Sequence, residues 1–388
     1  MDNERSIPWK LEQLYLSPRV YPSGRNSPEG IYSILYEGLP YKGKATRVFA
    51  CYGLPETDGK TKIPAVVLVH GGGGTAYEEW VALWTKRGYA AIAIDLEGHV
   101  PDGVPGLHKW YSHSLPGPER EGIYLDCDLP VEDQWMYHAV ADVILSHSML
   151  RDIPQVDPER IGITGISWGG IVTSLVAGID KRLAFAIPVY GCGFLYELNN
   201  LWGRRFAEME EATFAAVIRQ TEPSAYFSEV KIPMLWVNWL YDPYFDVRIF
   251  GKSYVHAKNG IEQSGLLMVH DLGHSHPSGW KSAEIYAFAD SIVRGGEPLI
   301  RLGETTAVDE STVNVSYQGA EASKALLYYT NYEGDWHACK WQTAECELDH
   351  ANRIVIAELP QQASAYFINV CDHNGYQAST VVEVRLIS

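Results

Sequence analysis

The residues best suited to chemistry are a serine, two aspartates and two histidines, spread over three short segments. The first segment, Gly165-Ile-Ser-Trp-Gly169, sets the Ser167 hydroxyl between two glycines. An apolar run from Ile161 to Ile166 precedes it, and Gly170-Ile-Val-Thr-Ser-Leu-Val-Ala177 follows with the character of a helix. Strand, tight turn and helix in that order describe a nucleophile elbow. The turn should push Oγ of Ser167 into a strained, exposed position, with a helix N-terminus behind it that favours negative charge. A serine hydroxyl is a weak nucleophile at its free pKa. It needs a base, an acid to orient that base, and N–H donors for the oxygen that becomes negative.

The chain supplies each partner in the order nucleophile, acid, base. After the apolar run Ile232 to Asn238 comes Trp239-Leu-Tyr-Asp242-Pro-Tyr-Phe-Asp246. Asp242 lies nearer the strand end, where an orienting acid is expected, and Asp246 is the second choice. At the end of the apolar run Gly265 to His270 stands His270-Asp-Leu-Gly-His274-Ser-His276. His274 is the preferred base, with His276 second. The oxyanion hole should use the N–H of Trp168 and that of Gly71 or Gly72, in the glycine run after His70. His270, His274 and His276 have neither an evident fourth ligand nor the H-E-x-x-H frame, so no metal is expected. No G-x-G-x-x-G with a downstream acid is present, and the chemistry needs no cofactor.

These segments need a scaffold that presents several strand ends together. Ala45 to Gly53, the apolar run from Lys62 that ends in the glycines up to Gly74, Tyr89 to Asp95, Leu183 to Tyr190, Ile232 to Asn238 and Gly265 to His270 read as strands, with helical segments between most of them. That alternation predicts an α/β fold with a mostly parallel, doubly wound sheet. Residues 1–40 show no sustained period and read as an N-terminal arm. Two stretches, about 97–130 and 193–228, break the rhythm and read as cap-like insertions into a catalytic domain spanning 41–300. From Thr306 the pattern changes to short alternating runs between turns, which predicts a small antiparallel β-sandwich over 301–388.

With a net charge of −17, the chain would be repelled by nucleic acid and anionic membranes. A homo-oligomeric contact would fall in the C-terminal domain. Six cysteines without a C-x-x-C pair, and a polar N-terminus without an apolar leader core, suggest a cytoplasmic protein. If the protein is exported, Cys339, Cys346 and Cys371 offer one disulfide.

Glu132-Asp-Gln-Trp-Met-Tyr-His-Ala-Val-Ala, Gly165-Ile-Ser-Trp-Gly-Gly and Val189-Tyr-Gly-Cys-Gly-Phe-Leu195 resemble the α/β-hydrolase superfamily. Within it they resemble the acetyl xylan esterase-like and dienelactone hydrolase-like branch, which shades into the prolyl oligopeptidase-like hydrolases. The resemblance runs from about Tyr41 to Gly296. It implies a serine esterase acting on short-acyl, acetyl-type esters, with Tyr190, Phe194 and Trp239 near the substrate. Trp239 stands where family members often have glycine. The alternatives are a peptidase or a carbon–carbon or lactone hydrolase on the same triad, and a non-catalytic binder on the same scaffold. A histidine base works only when neutral, so kcat/KM should fall with a single protonation below about pH 6 to 7. A flat profile down to pH 5 would exclude that base.

Overall fold

The computed structural model describes residues 7–101, 110–332, 334 and 336–385. Nine strands form the main sheet: β1 (Val20–Pro22), β2 (Ile31–Glu37), β3 (Arg47–Gly53), β4 (Ile63–Val69), β5 (Ala90–Ile94), β6 (Val156–Ile166), β7 (Phe185–Val189), β8 (Leu235–Trp239) and β9 (Gly265–Val269). Their spatial order is β1-β2-β3-β5-β4-β6-β7-β8-β9. The pairs from β1 to β5 are antiparallel, and every pair from β5 to β9 is parallel. β5 and β7 are buried along their whole length. Their continuous apolar sequences fit a sheet covered on both faces.

The covering helices include α1 (Glu78–Thr85), α2 (Trp135–Asp152), α3 (Trp168–Ile179), α4 (Leu201–Ala207), α5 (Glu211–Gln220), α6 (Val247–Lys258) and α7 (Ala283–Val293). The register sets Val69 beside Gly165, Ile166 beside Val189, and Trp239 beside Val269. The loops after β4, β6, β7, β8 and β9 therefore leave the sheet along one edge, where open α/β sheets bind ligands.

The opening segment is not an arm. It supplies β1 and β2, and β2 pairs with β3 without interruption from Ile31–Gly53 to Glu37–Arg47. A full set of inter-strand hydrogen bonds and the burial of Ile31 and Tyr36 hold it in the sheet, although its many tyrosines hide the alternation in sequence. Trp9 anchors the approach by stacking on Tyr137 and donating from Nε1 to the Tyr137 carbonyl at 2.8 Å. Residues 1–6 of that segment, and 102–109 of the insertion expected at 97–130, lie outside the described residues.

From Arg301 onward the chain forms two five-stranded antiparallel sheets. One is built on Thr312–Gln318 paired with Ile354–Glu358, the other on Ala322–Thr330 paired with Ala365–Asp372. Val313, Val315, Leu327, Val355 and Ile368 form a second apolar core between them. The opposite face of the latter sheet carries Tyr328 and Phe367, stacked at 4.8 Å, into the main core. Cys339, Cys346 and Cys371 are free thiols, as are the other three cysteines. Among the described residues no helix is long and apolar enough to cross a membrane.

β9 ends the main sheet, and an uncovered edge strand would expose unpaired backbone groups. The C-terminal region covers it with a side chain. Ser379 Oγ accepts the Met268 N–H at 2.8 Å and donates to Asn369 Oδ1 at 2.9 Å. Both Ser379 and Met268 are buried. Ser379→Ala should leave the Met268 N–H unsatisfied and lower stability by about 1–3 kcal/mol. Denaturant unfolding of the full chain measures this, and an unchanged midpoint would contradict it.

Candidate active site

Ser167 stands between β6 and α3 with φ 58° and ψ −117°, a backbone conformation that residues with a Cβ rarely adopt. Its N–H donates to the Val189 carbonyl at 2.8 Å, and its carbonyl accepts from Ile171 N–H at 3.0 Å. The turn is tight on both sides. A Cβ on Gly165 would lie 2.1 Å from the Gly169 carbonyl oxygen, and one on Gly169 only 2.0 Å from the Val69 carbonyl oxygen. Any larger residue at either position would force β4, β6 and α3 apart.

His274 reaches this serine from the loop after β9. Its Nε2 lies 3.0 Å from Ser167 Oγ, and its Nδ1 lies 2.5 Å from Asp242 Oδ2. The Asp242 side chain is 0% exposed, and Oδ1 accepts from the N–H groups of Tyr244 and Phe245, each at 2.9 Å. An ionised carboxylate only accepts, so Nδ1 carries the proton in the neutral imidazole. Nε2 is then free to accept from the serine hydroxyl. Tyr190 fixes the ring from below, at 4.6 Å between centroids, and its hydroxyl donates to the Gly273 carbonyl at 2.6 Å. Tyr244 packs edge-on at 4.9 Å. The imidazole is thereby held in one orientation and one tautomer.

The second-choice residues do other work. Asp246 caps α6, accepting from Arg248 N–H and Ile249 N–H. His276 Nε2 accepts the Gly71 N–H at 2.8 Å, and its Nδ1 faces the Tyr77 hydroxyl at 3.3 Å. That bond corrects one expectation, because the Gly71 N–H is already engaged and is not available to a substrate oxygen. Neither the Gly72 nor the Trp168 N–H has an acceptor among the described residues. His70 ties the same loop to the next strand: Nδ1 bonds the Gly71 carbonyl at 2.7 Å, and Nε2 accepts from Leu96 N–H at 2.9 Å. His270 pairs with Asp271 at 2.8 Å rather than with the other histidines. The described residues contain no group of three or more side chains able to hold a metal.

A cavity of about 330 Å³ opens over Ser167 and His274. Its walls come from Arg120 and Ile123, from Leu201 and Trp202 at the start of α4, and from Tyr244 and Phe245 beside Asp242. Both irregular stretches thus reach the site. They meet on the Trp168 indole, which touches Trp202 at 4.6 Å, Trp135 at 5.3 Å, and the Arg120 guanidinium at 4.9 Å.

Three expected substrate contacts are not in this wall. Tyr190 is fully buried beneath His274. Phe194 packs on Phe227 and Tyr196, with the Lys252 ammonium 4.2 Å over its ring. Trp239 donates from Nε1 to the His270 carbonyl at 3.0 Å and packs edge-on against Tyr241 at 6.3 Å. Each lies at a strand end or its following loop, as expected, but the side-chain direction there is set by packing across elements. Sequence reasoning missed Trp202 and Arg120. The first lies in the cap-like insertion expected over 193–228, whereas nothing in the local sequence distinguishes Arg120.

The sheet order, the serine at the turn after its central strand, and the histidine and aspartate on later loops define an α/β-hydrolase. The chain belongs to the acetyl xylan esterase family (AXE1), whose profile matches residues 13–219, just over half of the chain. That family marks it as a carboxylic ester hydrolase of this superfamily. Among solved structures it is similar to the acetyl xylan esterase from Paenibacillus sp. R4, at 20% identity and TM-score 0.54, covering 73% of this chain and 92% of that one. It is also similar to acetyl xylan esterase 1 from Thermoanaerobacterium sp. JW/SL YS485, at 18% identity and TM-score 0.50, covering 74% and 95%. A curated relative, the "uncharacterized peptidase YuxL" of Bacillus subtilis (strain 168), is 28% identical over 137 residues. That match covers 34% of this chain and 18% of the relative.

The segment that carries Trp202 is braced from beneath by Glu222. This carboxyl is fully buried and accepts from Leu195 N–H at 3.2 Å and Ser224 N–H at 2.8 Å. Burial outweighs those bonds and pushes its pKa up to about 7. Between its unfolded value, about 4.3, and about 7, the folded state keeps a proton that the unfolded chain has lost, so this group's contribution to stability falls as pH rises through that window. Glu222→Gln should abolish this slope. The difference in urea midpoint between wild type and variant, measured at pH 5, 6.5 and 8, should shift towards the variant with rising pH. A constant difference would refute the assignment.

Proposed function

We propose that the protein hydrolyses short-acyl, acetyl-type esters of small molecules or saccharides through an acyl-enzyme, with Ser167, His274 and Asp242 as the catalytic triad. The observation that carries this reading is the unbroken line from Ser167 Oγ to His274 Nε2 at 3.0 Å and from Nδ1 to Asp242 at 2.5 Å.

His274 takes the serine proton as Oγ attacks the ester carbonyl, and Asp242 stabilises the imidazolium that forms. The N–H groups of Trp168 and Gly72 receive the developing oxyanion, a contribution worth about 3–4 kcal/mol per donor in comparable sites. The proton then passes from Nε2 to the departing alkoxide, and a water activated by the same nitrogen releases the acid. Tyr190 acts on the reaction through His274, by holding its ring. Large rings from Trp168, Trp202 and Phe245 around the serine favour a small acyl group. Membership of the acetyl xylan esterase family supports an acetyl-sized acyl group and a sugar alcohol.

Ser167→Ala should lower kcat on 4-nitrophenyl acetate by about 10⁴-fold or more and abolish fluorophosphonate labelling. In wild type, rates should decline from acetate towards octanoate. A folded S167A protein that retains activity would refute the nucleophile, and a profile peaking at long acyl chains would refute the small acyl site.

A further inference from the structure

Among the described residues Arg120 is the one guanidinium in the wall of the cavity over Ser167, and it reaches that wall from the irregular stretch after β5. Three contacts hold it there. Nε pairs with Glu97 at 3.3 Å, Nη1 donates to the Gly122 carbonyl at 2.8 Å, and the guanidinium lies 4.9 Å from the centroid of the Trp168 indole. Its side chain is only 20% exposed. Nη2 has no acceptor among the described residues. This nitrogen lies close to Gly72: a Cβ built there would be 2.8 Å from Nη2 and 2.9 Å from Trp168 Cδ1. A free, charge-bearing donor thus stands beside the two residues whose N–H groups lack acceptors.

Nη2 is not sealed in the protein interior but faces the cavity, where an acceptor on a ligand can reach it. Glu97 occupies only the Nε side of the planar fork. The chain carries a net charge of −17, so this positive spot is not part of a general basic surface. An arginine fixed by stacking and two hydrogen bonds also loses little further rotamer freedom on binding a ligand. With the acyl site small, an anionic group cannot sit on the acyl side and must belong to the alcohol.

We propose that Arg120 recognises a carboxylate on the alcohol part of the substrate, so that the enzyme prefers acetyl esters of acidic sugars, such as uronosides, over those of neutral sugars. The proposal rests on the esterase reading above and narrows its substrate class. Charge-assisted hydrogen bonds of this kind change affinity by about tenfold or more.

The test uses a matched pair, mono-O-acetylated methyl glucuronide and mono-O-acetylated methyl glucoside, with acetate release as the readout. Wild type should show kcat/KM at least about tenfold higher on the glucuronide. Arg120→Gln should bring that ratio close to one, and Arg120→Lys, which keeps the charge but not the fork, should recover part of it. Equal losses on both esters would show that Arg120 serves packing or the oxyanion alone, and would overturn the proposal. A wild-type ratio near one would do the same. If the Arg120 variants do not fold, inhibition of wild-type 4-nitrophenyl acetate hydrolysis decides. Unacetylated methyl glucuronide should inhibit at least about tenfold more strongly than methyl glucoside, and equal inhibition would overturn the assignment. Ser167→Ala separates the two readings: acetate release that survives in it refutes the triad, whereas a dead S167A with an unselective wild type refutes only the role of Arg120.

Discussion

The close approach of β4, β6 and α3 around Ser167 is the constraint on which the site depends. Gly165 and Gly169 lie against backbone carbonyl oxygens at distances that no Cβ tolerates. Only with both glycines can the chain reverse from strand to helix and leave Ser167 at a positive φ. The strain there is balanced by hydrogen bonds from the serine's own N–H and C=O groups to β7 and α3. A serine placed this way does not relax into the loop. His274 and Asp242 need only arrive at a fixed point in space.

They arrive by different devices. Asp242 is sealed from solvent and immobilised by two backbone N–H groups of its own loop. His274 is held between that carboxylate and the rings of Tyr190 and Tyr244. His276, two residues on, secures the glycine loop after β4 through the Gly71 N–H. One short segment therefore meets Ser167 with His274 and secures the wall opposite with His276.

Trp168 joins the Ser167 turn to the cavity wall. Its backbone follows Ser167 directly, and its indole is the surface on which the two irregular stretches converge. Movement of either stretch would be felt within one residue of Ser167. The C-terminal sheets act at a greater distance, covering the β9 edge through Ser379 and setting Tyr328 beside His270 rather than lining the cavity. Tyr190, Phe194 and Trp239, expected to crowd the substrate, each pack against other residues of the main domain instead.

Much of the molecule was legible in sequence because it is written locally. Continuous apolar runs mark strands buried on both faces, and Gly-x-Ser-x-Gly between a strand and a helix marks the elbow. The order of Ser167, Asp242 and His274 follows from the strands that precede them. Asp246 sits immediately before a helix, the position of an N-cap, and its role was open to the same local reading. The tertiary structure alone decided the rest. Both His274 and His276 follow the same strand, and only the placement of the β4 loop shows which one meets Ser167 and which one meets Gly71. The strands within residues 20–37 depend on pairing with β3, not on their own alternation. Whether Trp239, Phe194, Trp202 or Arg120 lines the cavity depends on which neighbouring element each side chain packs against. That is a matter of contacts between distant segments, which one-dimensional spacing does not carry.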